Sequence, residues 1–436
     1  MMLEFKVLSG TILHWKKMYK QITKCRICGN TNLVSLIHLG EQALTGVFPK
    51  NTSDKITSGP LELVKCHPQN ENDKVCHLVQ MRHSYDSSEM YGQNYGYRSG
   101  LNQSMVRHLR SIVEYVLAAV NLKKDDLIVD VGSNDSTLLQ QYPVDKGLVL
   151  TGIDPTGVKF KKYYPSHVGL IPDFFSAENV HKNFPGKKVK VLTSIAMFYD
   201  LEDPISFVQN VFDVLADDGI WIFEQSYLPF MLETNSYDTI CHEHLEYYAL
   251  QQIKFTMDKV GFKIIDVALN DINGGSFRLT VAKNNSAHPV SKNVSECEAN
   301  EKKLELDTLR PYAEFKKHVE KHKENLKELI ADLKKKGKKV FGYGASTKGN
   351  VLLQYCDLTT ADIPCIAEVN EDKFGSFTPF TLIPIISEKE ARAMKPDYFL
   401  VLPWHFRKGI LEKEKEFLGS GGKFIFPLPK IEIVVE

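Results

Sequence analysis

The sequence has no surplus of either charge: 54 Lys and Arg stand against 54 Asp and Glu. A nucleic-acid binder normally carries a clear basic excess, so the balance argues against DNA or RNA as the main partner. Also missing is any run of 18 apolar residues, so no membrane-spanning helix is expected. The first 24 residues lack an uninterrupted apolar stretch, because Glu4, Lys6, His14, Lys16 and Lys17 break every window. No signal peptide is expected there, and the expected location is cytoplasmic. Nor do the eight cysteines have the spread of a disulfide framework: four fall within 25–76, the others at 241, 297, 356 and 365. Clustered cysteines in a chain without an export signal point to metal. Finally, Gly-x-Gly-x-x-Gly and Gly-x-x-x-x-Gly-Lys-Ser/Thr are both absent, which disfavours a dinucleotide cofactor and a P-loop.

What is present is enough chain for two or three domains. At 436 residues, 43% hydrophobic and 25% charged, the composition is that of ordinary globular protein. After an N-terminal extension (1–22), residues 23–98 are rich in Cys, His, Gly, Asn and Ser with short apolar runs, as in a loop-rich module held by metal. Residues 99–285 alternate helical and strand patterns. Met105–Val120 has helical spacing, and 127–131, 148–153, 189–194, 219–223 and 276–282 read as strands. Strands separated by helices imply a mostly parallel sheet covered on both faces. Residues 286–337 comprise a linker and a long charged helix over 304–336, ended by Gly337. A second strand–helix alternation occupies 338–436, with strands at 340–343, 365–369, 398–403 and 423–427. Both larger blocks open with a strand, a glycine turn and a helix, so two Rossmann-like domains are expected.

Cys25-x-x-Cys28 sets two thiolates on one knuckle that Gly29 helps to turn. A tetrahedral zinc needs two more soft ligands from a second loop. Cys66 and Cys76 are the thiols available, with nine residues between them, and His67 and His77 adjoin them as substitutes. No open coordination position is evident, so the metal is read as structural.

Ile128-Val-Asp130-Val-Gly132-Ser-Asn134-Asp135 is an apolar strand running into a glycine turn, the opening of class I methyltransferases that use S-adenosylmethionine. Gly132 lets the backbone approach the methionyl part, and Asp130, Asn134 and Asp135 offer partners for its ammonium. Twenty-two residues beyond Gly132, Asp154 ends the next strand, where a carboxylate meets ribose hydroxyls. Asp173-Phe174-Phe175 offers a polar edge and an aromatic face to adenine, although the triplet alone reads as loop and core. Ser194 ends the fourth strand at the cofactor side.

With these motifs in order, the chain closely resembles the C-methyltransferases that act on nucleotide-linked keto-deoxysugars. The resemblance runs from about Cys25 to Glu432. It rests on Cys25-Arg-Ile-Cys28, Tyr95-Gly-Tyr97-Arg-Ser-Gly, Asp130–Asp135, Glu243-His244, Asn273-Gly-Gly275, Phe341-Gly-Tyr-Gly344-Ala-Ser-Thr-Lys348 and Pro403-Trp404-His405. It implies an α/β architecture: a class I methyltransferase domain flanked by a small zinc-binding module and a second Rossmann-like domain for the sugar nucleotide. There are departures. Cys66 and Cys76 are far apart, Tyr199-Asp200 stands where some members carry a histidine, Cys241 replaces a tyrosine, and Ser136 replaces a glycine.

The chemistry is expected at 237–244, Tyr-Asp-Thr-Ile-Cys-His-Glu-His. Methylating carbon needs a carbanion or enolate, and a 4-keto sugar supplies one when the proton at C3 is removed. The site must then hold a base near neutrality and a donor for the developing oxyanion. The resemblance makes His244 the base and Glu243 its partner, with His242 as competitor and Tyr95 or Tyr97 as the enolate donor. In the C-terminal block, Gly344, Ala345, Ser346 and Lys348 form a turn suited to a diphosphate. Glu368, Asn370, Trp404 and His405 follow later strands, where ligands of open α/β sheets collect. The expected ligands are S-adenosylmethionine, structural zinc and a nucleotide-diphosphate-linked sugar, with no nucleic-acid or membrane partner and an oligomeric state that the sequence leaves open.

Overall fold

The computed structural model describes residues 19–90 and 97–435. The N-terminal part is richer in strands than its composition suggests. It holds β1 (Tyr19–Gln21), β2 (Leu33–Ala43), β3 (Ser58–Cys66), β4 (Val79–Met81) and β5 (His83–Tyr85). β2, β3 and β4 form an antiparallel sheet, and β1 pairs with β5. Loops and cysteines dominate the composition, but Ile37, Leu39, Leu61, Leu63 and Val79 give the sheet a buried face.

The central domain contains β6 (Leu127–Val131), β7 (Val149–Ile153), β8 (Val168–Ile171), β9 (Val189–Ile195), β10 (Leu215–Ser226), β11 (Glu246–Tyr247), β12 (Phe262–Asn270) and β13 (Ser276–Lys283). Seven of these form one sheet in the order β12-β13-β10-β9-β6-β7-β8. All neighbours are parallel except β13, which runs antiparallel to both β10 and β12. The Leu-Ile-Val-Asp-Val of β6 is buried throughout because helices cover both faces of this sheet. Chain order departs in opposite directions from β6, to β7 on one side and β9 on the other. That switch point opens a crevice at the carboxyl ends of the strands. The helix Gln103–Ala119 lies over it, capped by Asn102 accepting from the Ser104 N–H at 2.9 Å. Its buried stripe is Met105, Leu109, Ile112, Val113 and Val116.

The eighth strand of this stretch leaves the central sheet. β11 extends the N-terminal sheet instead, giving the order β11-β4-β3-β2, with Glu246 opposite Gln80 and Tyr247 opposite Val79. The segment just after the Glu-His pair is therefore bolted to the cysteine module.

The C-terminal sheet is β14 (Val340–Tyr343), β15 (Ile366–Glu368), β16 (Ile385–Ser387), β17 (Tyr398–Val401), β18 (Lys423–Phe426) and β19 (Glu432–Val434). Its order is β16-β15-β14-β17-β18-β19, parallel except for the last pair. The expected linker is partly helical: Lys292–Lys303 forms a helix. Its buried Glu301 accepts from Leu250 N–H at 2.6 Å, Gln251 N–H at 3.1 Å and the Tyr227 hydroxyl at 2.8 Å, satisfying the start of a neighbouring helix. The long charged helix runs from Arg310 to Lys335 and is amphipathic, with Tyr312, Phe315, Val319, Leu326, Ile330 and Leu333 inward. Its buried His322 touches the Tyr237 hydroxyl at 3.0 Å and the Pro427 carbonyl at 2.7 Å, joining the 237–244 segment to the C-terminal domain. Among the described residues no helix is long and apolar enough to cross a membrane.

Candidate active site and metal centre

The four cysteines meet. Cys25 and Cys76 sulfurs lie 3.4 Å apart, as do those of Cys28 and Cys66, and all four lie within 4.8 Å of one another. Zinc–sulfur bonds of about 2.3 Å place tetrahedral sulfurs a little under ~4 Å apart, so this donor set fits structural zinc. The knuckle closes through Gly29 N–H to Cys25 O at 3.0 Å, with Gly29 at φ +76°. The nine-residue separation of Cys66 and Cys76 is spanned by the connection from β3 to β4, and the two thiols converge as the strands pair. His67 and His77 stay outside the cluster.

Between the knuckle cysteines, Arg26 points inward. It donates to Met81 O at 2.8 Å and Ser84 Oγ at 2.8 Å, and its Nε lies 3.6 Å from the buried carboxylate of Glu246 on β11. The metal module thus reaches a residue two positions beyond His244.

At the carboxyl end of β6, Gly132 takes φ +71°, and a Cβ there would come within 3.3 Å of Met197. Ser136 sits at φ +61°, a left-handed conformation that favours glycine and costs a residue with a Cβ about 1–2 kcal/mol. Buried Asp130 accepts from Thr193 Oγ1 at 2.6 Å, and burial raises its carboxyl to about 7. Asp154 accepts from Asn134 N–H at 2.7 Å through one oxygen and from Thr156 N–H at 2.7 Å through the other. Asn134 in turn clamps the segment above it, donating to Tyr97 O at 3.1 Å and accepting from Ser99 N–H at 3.1 Å.

These groups line a cavity of about 600 Å³. Its lining includes Asp130, Gly132, Asn134 and Asp154 with Phe174 and Phe175, and also Cys241, Glu243, His244, Asn273 and Lys348. The cradle at Gly132 and the volume suit a drug-sized ligand such as S-adenosylmethionine.

Three of the cofactor candidates lie elsewhere. The Ser194 hydroxyl accepts from Trp221 Nε1 at 2.9 Å on the opposite face of the sheet, since alternate strand residues point to opposite sides. Asp173 is exposed and caps its own loop, bonding Phe174 N–H at 2.7 Å and Asn179 Nδ2 at 3.1 Å. Asp135 turns toward the overlying segment, to Gly100 N–H at 3.0 Å and Arg98 at 3.5 Å. Tyr97 lines the cavity, and Tyr95 lies outside the described residues.

The 237–244 segment is neither strand nor continuous helix: a 3₁₀ turn over Tyr237–Thr239 is followed by irregular chain. The two histidines consequently face different ways. His242 is fully buried against the metal module, its ring 4.6 Å from that of Tyr85, and desolvation pushes it down to about 3. His244 lines the cavity. Its Nδ1 is 2.9 Å from the Thr239 carbonyl and its ring lies 4.5 Å from that of Tyr199. Burial, with Lys348 adding to it, lowers His244 to about 4.

Glu243 is contacted by Thr45 Oγ1 at 3.4 Å, and burial raises its carboxyl above the usual range. A Cβ added at Gly46 would stand 2.5 Å from Glu243 Oε1. Gly46→Ala is therefore expected to displace this carboxylate and lower turnover by about 10²-fold, the scale of a 1 Å misplacement, with Tm little changed. Thermal melting and steady-state kinetics check both halves, and unchanged turnover would show that the position of Glu243 is immaterial.

The C-terminal candidates are mostly consumed by structure. Glu368 accepts from Ala345 N–H at 2.7 Å and from Val369 and Asn370 N–H at 2.7 and 2.8 Å, so the Gly344–Ala345 turn is filled by its own carboxylate. Ser346 caps its helix through Gly349 N–H at 2.9 Å, and Asn370 caps a short turn through Asp372 N–H at 3.1 Å. Gly344 is needed for packing, since a Cβ would strike Pro403 at 2.7 Å. Trp404 is buried and donates to Asp238 Oδ2 at 2.8 Å, and His405 packs against Trp404 and Phe406. Lys348 is the exception. It enters the shared cavity and donates to Asn273 O at 2.8 Å. Arg26 and Asp238 lie in segments that the sequence singles out, but the pattern assigns them no role, and sequence spacing carries no signal for Gly46 or Glu246.

A seven-stranded sheet with one reversed strand, and a glycine cradle at its switch point opening onto a cavity, define a class I S-adenosylmethionine-dependent methyltransferase. Family models match in three successive parts: a zinc binding domain at 25–91, a methyltransferase domain at 101–267 and a C-methyltransferase C-terminal domain at 271–429. C-methyltransferase NovU of Streptomyces niveus is 30% identical over 424 residues, covering 95% of this chain and 97% of that one. The chain belongs to this C-methyltransferase family. Among solved structures, magnesium protoporphyrin IX methyltransferase of Synechocystis PCC 6803 with bound SAM is 13% identical, covers 41% of this chain and 79% of its own, and has a TM-score of 0.30. The plantazolicin methyltransferase BamL, in complex with a triazolic desmethylPZN analog and SAH, is 14% identical, covers 42% and 86%, and has a TM-score of 0.34.

Proposed function

We propose that this enzyme methylates carbon, at C3, of a nucleotide-linked 4-keto-deoxysugar through an enolate, in branched-sugar biosynthesis in the cytoplasm. The observation that carries the reading is one cavity lined both by the Gly132 cradle and by His244 with Glu243. S-adenosylmethionine bound at the cradle supplies an electrophilic methyl on sulfonium. Asp154 and Asn134 shape the ribose end, while Phe174 and Phe175 offer an apolar face to adenine. His244 keeps a proton on Nδ1 through Thr239 and presents Nε2 to the carbon acid. Glu243, raised by burial, orients the sugar or the imidazole.

O- or N-methylation needs no carbon base. The experiment is turnover on a panel of nucleotide-linked 4-keto sugars with ¹³C-methyl-labelled cofactor. The expected product carries the label on a quaternary or tertiary ring carbon by NMR. A label on oxygen or nitrogen, or no turnover across the panel, would overturn the reading.

A further inference from the structure

Lys348 is a lysine from the third domain placed inside the cavity of the second. Its Nζ donates to the Asn273 carbonyl at 2.8 Å, and among the described residues no carboxylate lies within 4.0 Å of it in an ion pair. The acid that acts on it, Asp238, gives one oxygen to Trp404 Nε1 at 2.8 Å. The ammonium therefore has donors to spare in a largely desolvated site, where an anion is strongly favoured.

Three anions compete for it: a substrate diphosphate, the methionyl carboxylate and an enolate oxygen. The turn that precedes Lys348 already holds an anion, because Glu368 occupies the Ala345 N–H, and the Lys373 ammonium donates to the Ala345 carbonyl at 2.8 Å. That disfavours a diphosphate beside it. The cofactor cradle lines the same cavity, but burial, Thr193 and Asp154 rather than Lys348 act on its buried Asp130. His244 and Cys241, by contrast, are among the residues with which Lys348 interacts electrostatically.

We propose that Lys348 is a catalytic residue that stabilises the enolate oxygen of the keto-sugar. This rests on the substrate reading above. His244 Nε2 takes the proton from the carbon beside the carbonyl. The C–H pair becomes the new C=C bond, and the C=O π pair moves onto oxygen, where Lys348 donates a hydrogen bond to the negative charge. Asn273 O holds the ammonium in place before the charge appears, so little reorganisation is needed.

The test is solvent deuterium exchange at the acidic carbon, followed by NMR without cofactor, using a thymidine-diphosphate-linked 4-keto-6-deoxyhexose. Lys348→Ala is expected to slow exchange by about 10²–10³, the loss seen on removing an oxyanion donor. Affinities for S-adenosylmethionine and thymidine diphosphate should be unchanged, and ethylammonium should restore part of the exchange. Normal exchange with weakened thymidine diphosphate binding would assign the cation to the diphosphate and overturn the inference. Normal exchange with weakened S-adenosylmethionine binding would assign it to the methionyl carboxylate and overturn the inference equally. Loss of cofactor binding together with no rescue would make Lys348 structural. A wild-type enzyme that exchanges no keto-sugar would overturn the substrate reading and this inference together.

Discussion

His244→Ala is expected to lower turnover by about 10²–10⁴, the usual scale for a general base, while S-adenosylmethionine affinity is retained. The tautomer decides which nitrogen is free to act. A carbonyl only accepts, so the 2.9 Å contact with Thr239 puts the neutral ring's proton on Nδ1 and leaves the Nε2 lone pair for the substrate. The cradle residues belong to β6 and the turn after it, so the truncation should not touch them. The pH profile gives an independent check. With burial and Lys348 holding His244 down to about 4, the ring is neutral above that pH and becomes protonated, hence inactive as a base, below it. The acid limb of kcat/KM, which reports the free enzyme, is expected near pH 4 and should vanish in the variant. Near-wild-type turnover in His244→Ala, or an acid limb unchanged by it, would remove His244 from the mechanism. His242→Ala is expected to act through stability instead, because that ring packs on Tyr85 away from the cavity.

Removing the metal should be as damaging, from outside the cavity. Structural zinc contributes on the order of 10 kcal/mol or more to a small module. Here the loss would spread along defined contacts. The knuckle carries Arg26, which pairs with buried Glu246, and β11 hydrogen-bonds to β4. Thr45 and Gly46, just past the end of β2, abut Glu243. Chelation, or Cys28→Ser with Cys66→Ser, is therefore expected to abolish turnover and raise amide hydrogen exchange in β3, β4 and β11. The central strands β6 and β9 should stay protected. Full activity in verified metal-free protein would rule out this coupling, and so would uniform loss of protection across the N-terminal, central and C-terminal sheets alike.

Much of the fold is legible in the sequence because strand signals are local. The apolar run of β6 and the acidic residue and glycine after it place a cofactor turn without any tertiary information, and β14 is read to the residue. The small strands β8, β16 and β19 and the N-terminal sheet carry no such signal. They are short or broken by Gly, Pro, Glu or Lys, so pairing with neighbours rather than a clean local pattern makes them strands. The helix Lys292–Lys303 is hidden because its sequence is mostly polar and docks through only Val294, Cys297 and Glu301.

The sequence by itself determined the types of group available: four thiols, a glycine cradle and the Glu-His pair. These are local choices of residue, so spacing and resemblance sufficed to name them. Only tertiary structure decided which groups face the reaction. It turned His244 into the cavity and His242 out, sent Ser194 to Trp221, filled the Ala345 turn with Glu368 and brought Lys348 across from another domain. Direction and company depend on which elements pack together. A segment without regular structure, such as 237–244, has no periodicity from which facing can be read. Its side chains are aimed by neighbours far away in sequence, Thr45 and Glu243 being separated by 198 residues.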